Sequence, residues 1–332
     1  MVRAVERAHA IGLDALQVFS DNPTAWRRRH EPPRELTTFR ARIDELGLGP
    51  IAIHASYLIN LAGSDPELRE RSAAILRSEL EVAPGFGASL VNAHVGSHRG
   101  TDPRSGIERL ADGIERVLGE VEGGPGSATL ILENSSGGGD GLGSTVEELA
   151  AILDAIAARG VPAGRVAICL DTAHLWGAGY PISDPPGVDR LIDDVDRLIG
   201  LGRLAMIHFN DSRAPLGSRA DRHEHIGAGA IGADGLRAIL CHPRLGGVTY
   251  YLETPGMDEG YDSVNAARVR DLAAGRALAT LPPEALELKG SQAHGHPAHG
   301  HPAHAPADGA EGDAPREVAA KARAAQRTGR RG

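Results

Sequence analysis

Aromatic side chains make up only 3% of this 332-residue chain, so any core must be assembled from Leu, Ile, Val and Ala. Cysteine occurs twice, at Cys169 and Cys241, which excludes a disulfide framework and lacks the spacing of a thiolate metal motif. A reducing compartment, the cytoplasm, is expected. Lysine occurs only at Lys289 and Lys321, so the positive charge is almost entirely arginine, a residue well suited to phosphate. There is no run of 18 apolar residues, hence no expected membrane span. The opening MVRAVERAHAIGLDAL carries charge through its first turns and no apolar segment, so no secretory signal is expected. An excess of basic charge is missing too: the net charge is −9 with neutral histidine, which argues against nucleic-acid binding by bulk charge.

What the chain does have is alternation. Short β-rich runs fall at Ala15–Phe19, Pro50–His54, Leu90–His94, Thr129–Glu133, Val166–Asp171, Ala205–Asn210 and Thr249–Glu253. Their near-continuous apolar character suits parallel strands covered on both faces. Amphipathic helices lie between them. Asp65 caps a helix whose first residue is Pro66, and Leu68, Ile75, Leu76 and Leu80 form its stripe. Ile107, Leu110, Ile114, Val117 and Leu118 form another, as do Leu191, Ile192, Val195, Leu198 and Ile199. Thr145 and Glu148 make a capping box before Leu149, Ile152 and Ile156, and Val264–Leu278 reads as a last helix. Repeated βα units predict a parallel α/β fold, here a TIM (β/α)8 barrel over residues 1–283. Seven strands are counted, and the chain opens on a helix, so the first strand of the barrel is expected to be missing from the N-terminus. Residues 284–332, with five histidines in AHGHPAHGHPAHAPADGA, read as a low-complexity His/Ala/Pro/Arg-rich disordered tail.

Nine potential metal ligands sit at or just beyond the C-terminal ends of these runs: His54, His94, Glu133, Asp171, His174, His208, Asp221, His223 and Glu253. A single buried histidine or carboxylate is usually a core residue satisfied by hydrogen bonds. Nine on one rim would repel or strand one another without cations between them. The C-terminal rim is where a TIM barrel builds its active site, whereas an open sheet concentrates its site at one switch point. Imidazole and carboxylate suit zinc and, at similar sites, manganese. A carboxylate shared by two ions holds them about 3.5–4 Å apart, the spacing that serves in-line displacement at phosphorus. Three divalent ions would also return about +6 to the rim of an acidic protein. By contrast, Gly227, Gly229 and Gly232 imitate a dinucleotide fingerprint but do not directly follow a strand, so a loop is predicted. His98 and His225 flank ligands and are expected to support them or to reach phosphate.

The motifs HASYLIN (His54–Asn60), NAHVGSH (Asn92–His98), LEN (Leu132–Asn134), LDTAHLWGAGY (Leu170–Tyr180), HFNDS (His208–Ser212), GSRADRHEHIGAGAIG (Gly217–Gly232) and LET (Leu252–Thr254) follow one another in order. In these the chain, from about Leu16 to Leu278, resembles the endonuclease IV family of apurinic/apyrimidinic endonucleases. The resemblance implies a barrel with three zinc ions. It assigns His54, His94 and Glu133 to one ion; Asp171, His208, Glu253 and the bridging Glu133 to a second; and His174, Asp221 and His223 to the third. Manganese at one site is compatible with this donor set. Glu133 and Glu253 are the expected catalytic carboxylates. The implied reaction is hydrolysis of the phosphodiester 5′ to an abasic site in duplex DNA, leaving a 3′-hydroxyl, as in base excision repair. By the same resemblance, Tyr57 and Leu58 belong to a wedge that enters the gap, and Asn22 and Trp26 to a second recognition loop. Thr24 and Ala25 depart from the arginine or glutamine frequent in that loop. Arg222, between two ligands, is placed to meet a phosphate, and Arg27, Arg28 and Arg29 lie where they could do the same. A monomer acting on damaged DNA, away from membranes, is expected. Two rival readings exist. Glu133, Asp171, His208 and Glu253 alone match a single-metal sugar isomerase or epimerase on a xylose isomerase-like barrel, and a truncated barrel would be a non-catalytic remnant.

Overall fold

The computed structural model describes residues 1–257 and 259–288. The chain runs α1 (Val2–Ala10), β1 (Leu16–Val18), α2 (Leu36–Leu46), β2 (Ile51–His54), α3 (Pro66–Phe86), β3 (Ala88–His94), α4 (Pro103–Glu120), β4 (Thr129–Glu133), α5 (Val146–Ala158) and β5 (Val166–Asp171). It continues through α6 (Thr172–Ala178), α7 (Pro185–Leu198), β6 (Leu204–His208), β7 (Asp211–Ser212), β8 (His223–Glu224), α8 (Gly232–Leu240), β9 (Thr249–Tyr251), α9 (Tyr261–Ala273) and α10 (Pro283–Glu287). Seven strands pair in parallel in the order β1-β2-β3-β4-β5-β6-β9. They form the nearly closed wall of a TIM barrel with helices outside. The seven expected runs are these seven strands.

Every residue of β2 is buried, as are four of five in β4 and five of six in β5. That is why these segments read as unbroken apolar runs. Ala52, Ile131, Cys169, Met206 and Tyr251 fill the barrel interior, and Leu, Ile, Val and Ala of the outer strand faces pack under the helices. The few aromatics are placed where they count: Phe39, Phe86 and Phe209 are among the largest fully buried side chains. Each such side chain contributes about 1.5–3 kcal/mol by leaving water.

Local signals set the helix starts. Asp65 accepts from Glu67 N and Leu68 N ahead of Pro66. Thr145 accepts from Glu148 N, while Glu148 reaches back past Thr145 to Ser144 N at 3.0 Å, so the box closes one residue early. The last large helix, expected over Val264–Leu278, begins three residues earlier and stops at Ala273, because Gly260 and Gly275 take positive φ on either side of it.

Side chains link the two ends of the ladder, β1 and β9. Gln17 of β1 donates to Glu253 just beyond β9 at 2.8 Å, and Tyr251 of β9 donates at 3.0 Å to the O atom of Pro50, which precedes β2, the neighbour of β1. Outside, Arg7 of α1 pairs with Asp262 of α9. The chain after α9 returns to the barrel: Ala285 of α10 is fully buried, and Leu288 O accepts from Arg213 at 3.0 Å. The tail boundary expected after residue 283 therefore falls inside α10, and packed structure extends to Leu288. The His-rich stretch beyond lies outside the described residues. No described helix is long and apolar enough to cross a membrane.

Candidate metal centre

Parallel register brings the strand ends level. His94 pairs with Glu133, and Asp171 with His208, so four candidate ligands share the rim by ladder geometry alone. His54 ends β2, and Glu253 follows β9 by two residues. The remaining three come from local devices. Asp171 caps α6 by accepting from His174 N at 2.8 Å, which sets His174 one turn into a short helix. The hairpin β7–β8 folds the loop after β6 back over the rim and returns His223 with Asp221 beside it.

That hairpin depends on Asp211, a buried carboxylate that accepts from Gly229 N at 2.9 Å, Ile231 N at 3.0 Å and Gly232 N at 3.2 Å. A Cβ on Gly229 would lie 2.4 Å from Ser212 O and 2.5 Å from the Asp211 carboxylate, so only glycine fits there. The glycines of this segment are thus explained by a loop tied to an aspartate.

The nine side chains form three adjoining groups. His54, His94 and Glu133 make one; Glu133, Asp171, His208 and Glu253 a second; Asp171, His174 and His223 a third, each with ligand atoms within 4.8 Å of one another. Asp221 belongs with the third, 3.3 Å from His174 Nε2 and 3.1 Å from His223 Nε2. Glu133 is common to the first and second groups, and Asp171 to the second and third. Asp171 as a member of the third group is a geometric feature that sequence spacing did not reveal.

The outer atoms are anchored so that the inner ones converge. His54 Nδ1 donates to Ala55 O at 2.7 Å, His174 Nδ1 to Asn134 O at 2.9 Å, and His223 Nδ1 to Glu253 O at 2.8 Å. Each leaves Nε2 facing the site, the arrangement that metal-binding histidines require. Asn92 donates to Glu133 Oε2 at 2.5 Å, and Asn210 to Asp171 Oδ2 at 2.7 Å. At the centre, His208 Nδ1 lies 3.3 Å from Glu133 Oε1 and 3.3 Å from Glu253 Oε2. Neither His208 Nδ1 nor Glu133 Oε1 makes a well-directed hydrogen bond.

Magnitudes favour a cation at this point. Two carboxylates about 4–5 Å apart repel by about 3–4 kcal/mol at an effective dielectric of 20, and the central group contains three. A hydrogen bond returns a net of only about 1 kcal/mol. In the metal-free protein the compensation comes from protons. Burial lowers the affinity of His174 for a proton, but Asp171 and Asp221 outweigh it and raise its pKa well above the usual value. His208 behaves likewise: Cys169, Glu253 and Glu133 together outweigh its burial. At His223, burial is overcome by Asp171 and Asp221, which push the pKa up to about 10. His54 differs. Burial dominates and depresses it to about 4, leaving a neutral ring at pH 7. The residues present therefore fit divalent metal: hard carboxylates and imidazoles, inward lone pairs and anchored outer atoms.

Of the expected DNA-contact residues, Tyr57, Leu58, Asn22 and Trp26 lie on two loops that are tied together, while Arg222 stands beside the third group. Tyr57 packs its ring 5.1 Å from that of His54 and 6.2 Å from that of His94, directly over the first group, and Leu58 follows it. Tyr57 N and Ser56 Oγ both donate to Pro23 O, which ties this loop to the Asn22–Trp26 loop. Asn22 is exposed and accepts from Thr24. Trp26 has the Arg71 guanidinium 4.0 Å over its ring. Arg222 is exposed between Asp221 and His223. Of the neighbouring arginines, Arg28 points inward to the buried Glu79, and Arg29 holds Asp21 at 3.2 Å, while Arg27 is exposed. The expectation for His225 is corrected: it is fully buried, bonded to Asn265 and Ala285 O, and serves packing. The polar supports Gln17, Asn92, Asn134 and Asn210 escaped sequence reasoning. Three of them stand within two residues of a ligand, which was the available signal.

Comparison with known proteins agrees with this geometry. Residues 5–278 match the model of the xylose isomerase-like TIM barrel family. The protein named "Probable endonuclease 4" from Chloroflexus aurantiacus is 39% identical over 274 residues, covering 82% of this chain and 94% of that protein. The crystal structure of endonuclease IV from Thermus thermophilus superposes with a TM-score of 0.69 at 37% identity, covering 82% of this chain and 93% of that one. A D-tagatose 3-epimerase-like protein superposes at 0.59 with 18% identity, covering 83% and 92%, which shows a shared fold alone.

Proposed function

The chain belongs to the endonuclease IV family of xylose isomerase-like TIM barrels, and from that premise we propose that it is a zinc-dependent endonuclease that hydrolyses the phosphodiester 5′ to abasic sites in duplex DNA. The observation that carries this reading is the set of three adjoining ligand groups joined through Glu133 and Asp171. His54, His94 and Glu133 would hold one zinc; Glu133, Asp171, His208 and Glu253 a second; His174, Asp221 and His223 a third, with manganese acceptable at one position. Bound there, the ions supply Lewis-acid stabilisation of phosphate charge and acidify water. Glu133 and Glu253, the catalytic carboxylates, hold the negative charge that keeps neighbouring ions in place. Tyr57 and Leu58 fill the space left by the missing base, and extrusion of such a nucleotide is cheap because its stacking is already lost. Asn22, Trp26 and Arg222 are the further DNA contacts of this proposal. The product would carry a 3′-hydroxyl, the end that repair synthesis extends, and the protein would act as a monomer in the cytoplasm.

A single-metal epimerase would need only the central group. It leaves the convergence of His54 and His94 on Glu133, and of His174, Asp221 and His223 beside Asp171, without a purpose. The test is direct. Zinc-loaded full-length protein is expected to nick a duplex containing one tetrahydrofuran abasic analogue, and to leave the matching undamaged duplex intact. Folded, metal-loaded protein that shows no damage-dependent nicking would end the proposal. Deleting residues 290–332 is expected to leave the nicking rate within about twofold, since none of the nine candidate ligands lies in that segment. A loss beyond about tenfold would show that the tail takes part.

A further inference from the structure

Gln17 stands on β1, the end strand of the ladder, and its one amide group touches two ligands of the central group. Its Nε2 donates to Glu253 Oε1 at 2.8 Å, and its Oε1 lies 3.0 Å from His208 Nε2. The chemistry of these partners leaves little freedom. An ionised carboxylate only accepts, so the amide nitrogen must face Glu253. The amide oxygen must then face His208, and it only accepts, so His208 Nε2 must carry hydrogen. In the neutral ring the lone pair is thereby forced onto Nδ1, which points at Glu133 and Glu253. The same contact occupies Glu253 Oε1 and leaves Oε2 turned to the centre.

We propose that Gln17 is a positioning residue for metal binding: it fixes the tautomer of His208 and the orientation of Glu253 together, from across the seam of the barrel. This rests on the metal-dependent reading above and adds to it. The other anchored histidines donate to main-chain carbonyls, which a substitution cannot remove; His208 depends on a side chain. The central group is therefore the one whose ligand orientation a single substitution on β1 can undo.

Gln17→Met keeps length and volume but neither accepts from Nε2 strongly nor donates to Glu253. Gln17→Glu keeps the acceptor for His208 and loses the donor. Zinc affinity of the full-length protein is measured by chelator competition, and the long-range ¹H–¹⁵N spectrum of the histidine rings, recorded on metal-free protein at a pH above the raised His208 value where the ring is neutral, reports which nitrogen of His208 is protonated. Gln17→Met is expected to weaken one zinc by about 10–100-fold while the other two stay in place, and to abolish the single His208 tautomer. Gln17→Glu is expected to keep that tautomer. Wild-type affinity and an unchanged His208 signal in Gln17→Met overturn the inference while leaving the metal-dependent reading intact. If Gln17→Met does not fold, loss of the tautomer in Gln17→Glu overturns it. A wild-type protein that takes up no zinc overturns both.

Discussion

Glu133→Gln is expected to lower nicking of an abasic duplex by about a thousandfold or more while leaving the barrel folded. Glu133 is the carboxylate common to two ligand groups, with His54, His94, His174 and His208 all within 4 Å of its oxygens. Burial alone would raise its pKa, but the charges of His208 and His94 and the close approach of the His174 and His208 rings hold it well below the ordinary value, so it is ionised throughout the working range. Glutamine preserves shape and can still meet Asn92 through its carbonyl oxygen. It removes the negative charge and turns one of two acceptor atoms into a donor aimed at lone pairs. The measurement is single-turnover nicking with metal content determined on the same sample. On the proposed reading, two of the three ions would be weakened, because two groups lose their shared member. A variant with near-normal rate and full metal content would show that the bridging role has been misassigned.

How much of this was legible beforehand depends on how many independent signals a residue carried. Seven strands could be read because a parallel strand buried on both faces must be apolar along its length, as in Thr129–Glu133 and Val166–Asp171. The nine candidate ligands that converge on the rim could be picked out because each ends such a run or lies in the loop after it. Other features had no local signature. Gln17 is one polar residue in a three-residue strand, and its partners lie more than 190 residues away. Arg28 looked like its neighbours Arg27 and Arg29 until the fold placed Glu79 beside it. His225 looked like a ligand neighbour because it is two residues from His223, but β8 ends at Glu224 and the turn that follows sends the His225 ring toward Asn265. The helix α6 is too short to show periodicity, and its position follows from Asp171 acting as its cap. For Gln17, Arg28 and His225 the cause is the same: each residue's role is set by a long-range partner.

Metal-free protein is expected to lose stability as pH rises from about 6 to about 9, while zinc-loaded protein loses much less. Four carboxylates (Glu133, Asp171, Asp221 and Glu253) meet at the rim, and without metal their charge is balanced by protons on His174, His208 and His223. All three pKa values are raised in the folded state, His223 to about 10, against about 6.5 in the unfolded chain. A raised folded value means that the native state binds protons more tightly than the unfolded state. The stabilisation is complete below about pH 6.5 and is withdrawn as pH climbs through the folded values. Zinc takes the place of those protons on neutral rings, so the loaded protein has far less to lose over the same interval. His54, whose folded value of about 4 lies below its unfolded one, works the other way and returns a little stability as pH rises through about 6.5, against three groups that lose it. Scanning calorimetry of chelator-treated and zinc-loaded samples at the two ends of that interval should therefore show the gap in Tm widening with pH, by at least about 5 °C. A gap that stays constant or narrows would mean that these imidazoles do not carry the compensating charge, and the cation-shaped centre inferred from their geometry would have to be abandoned.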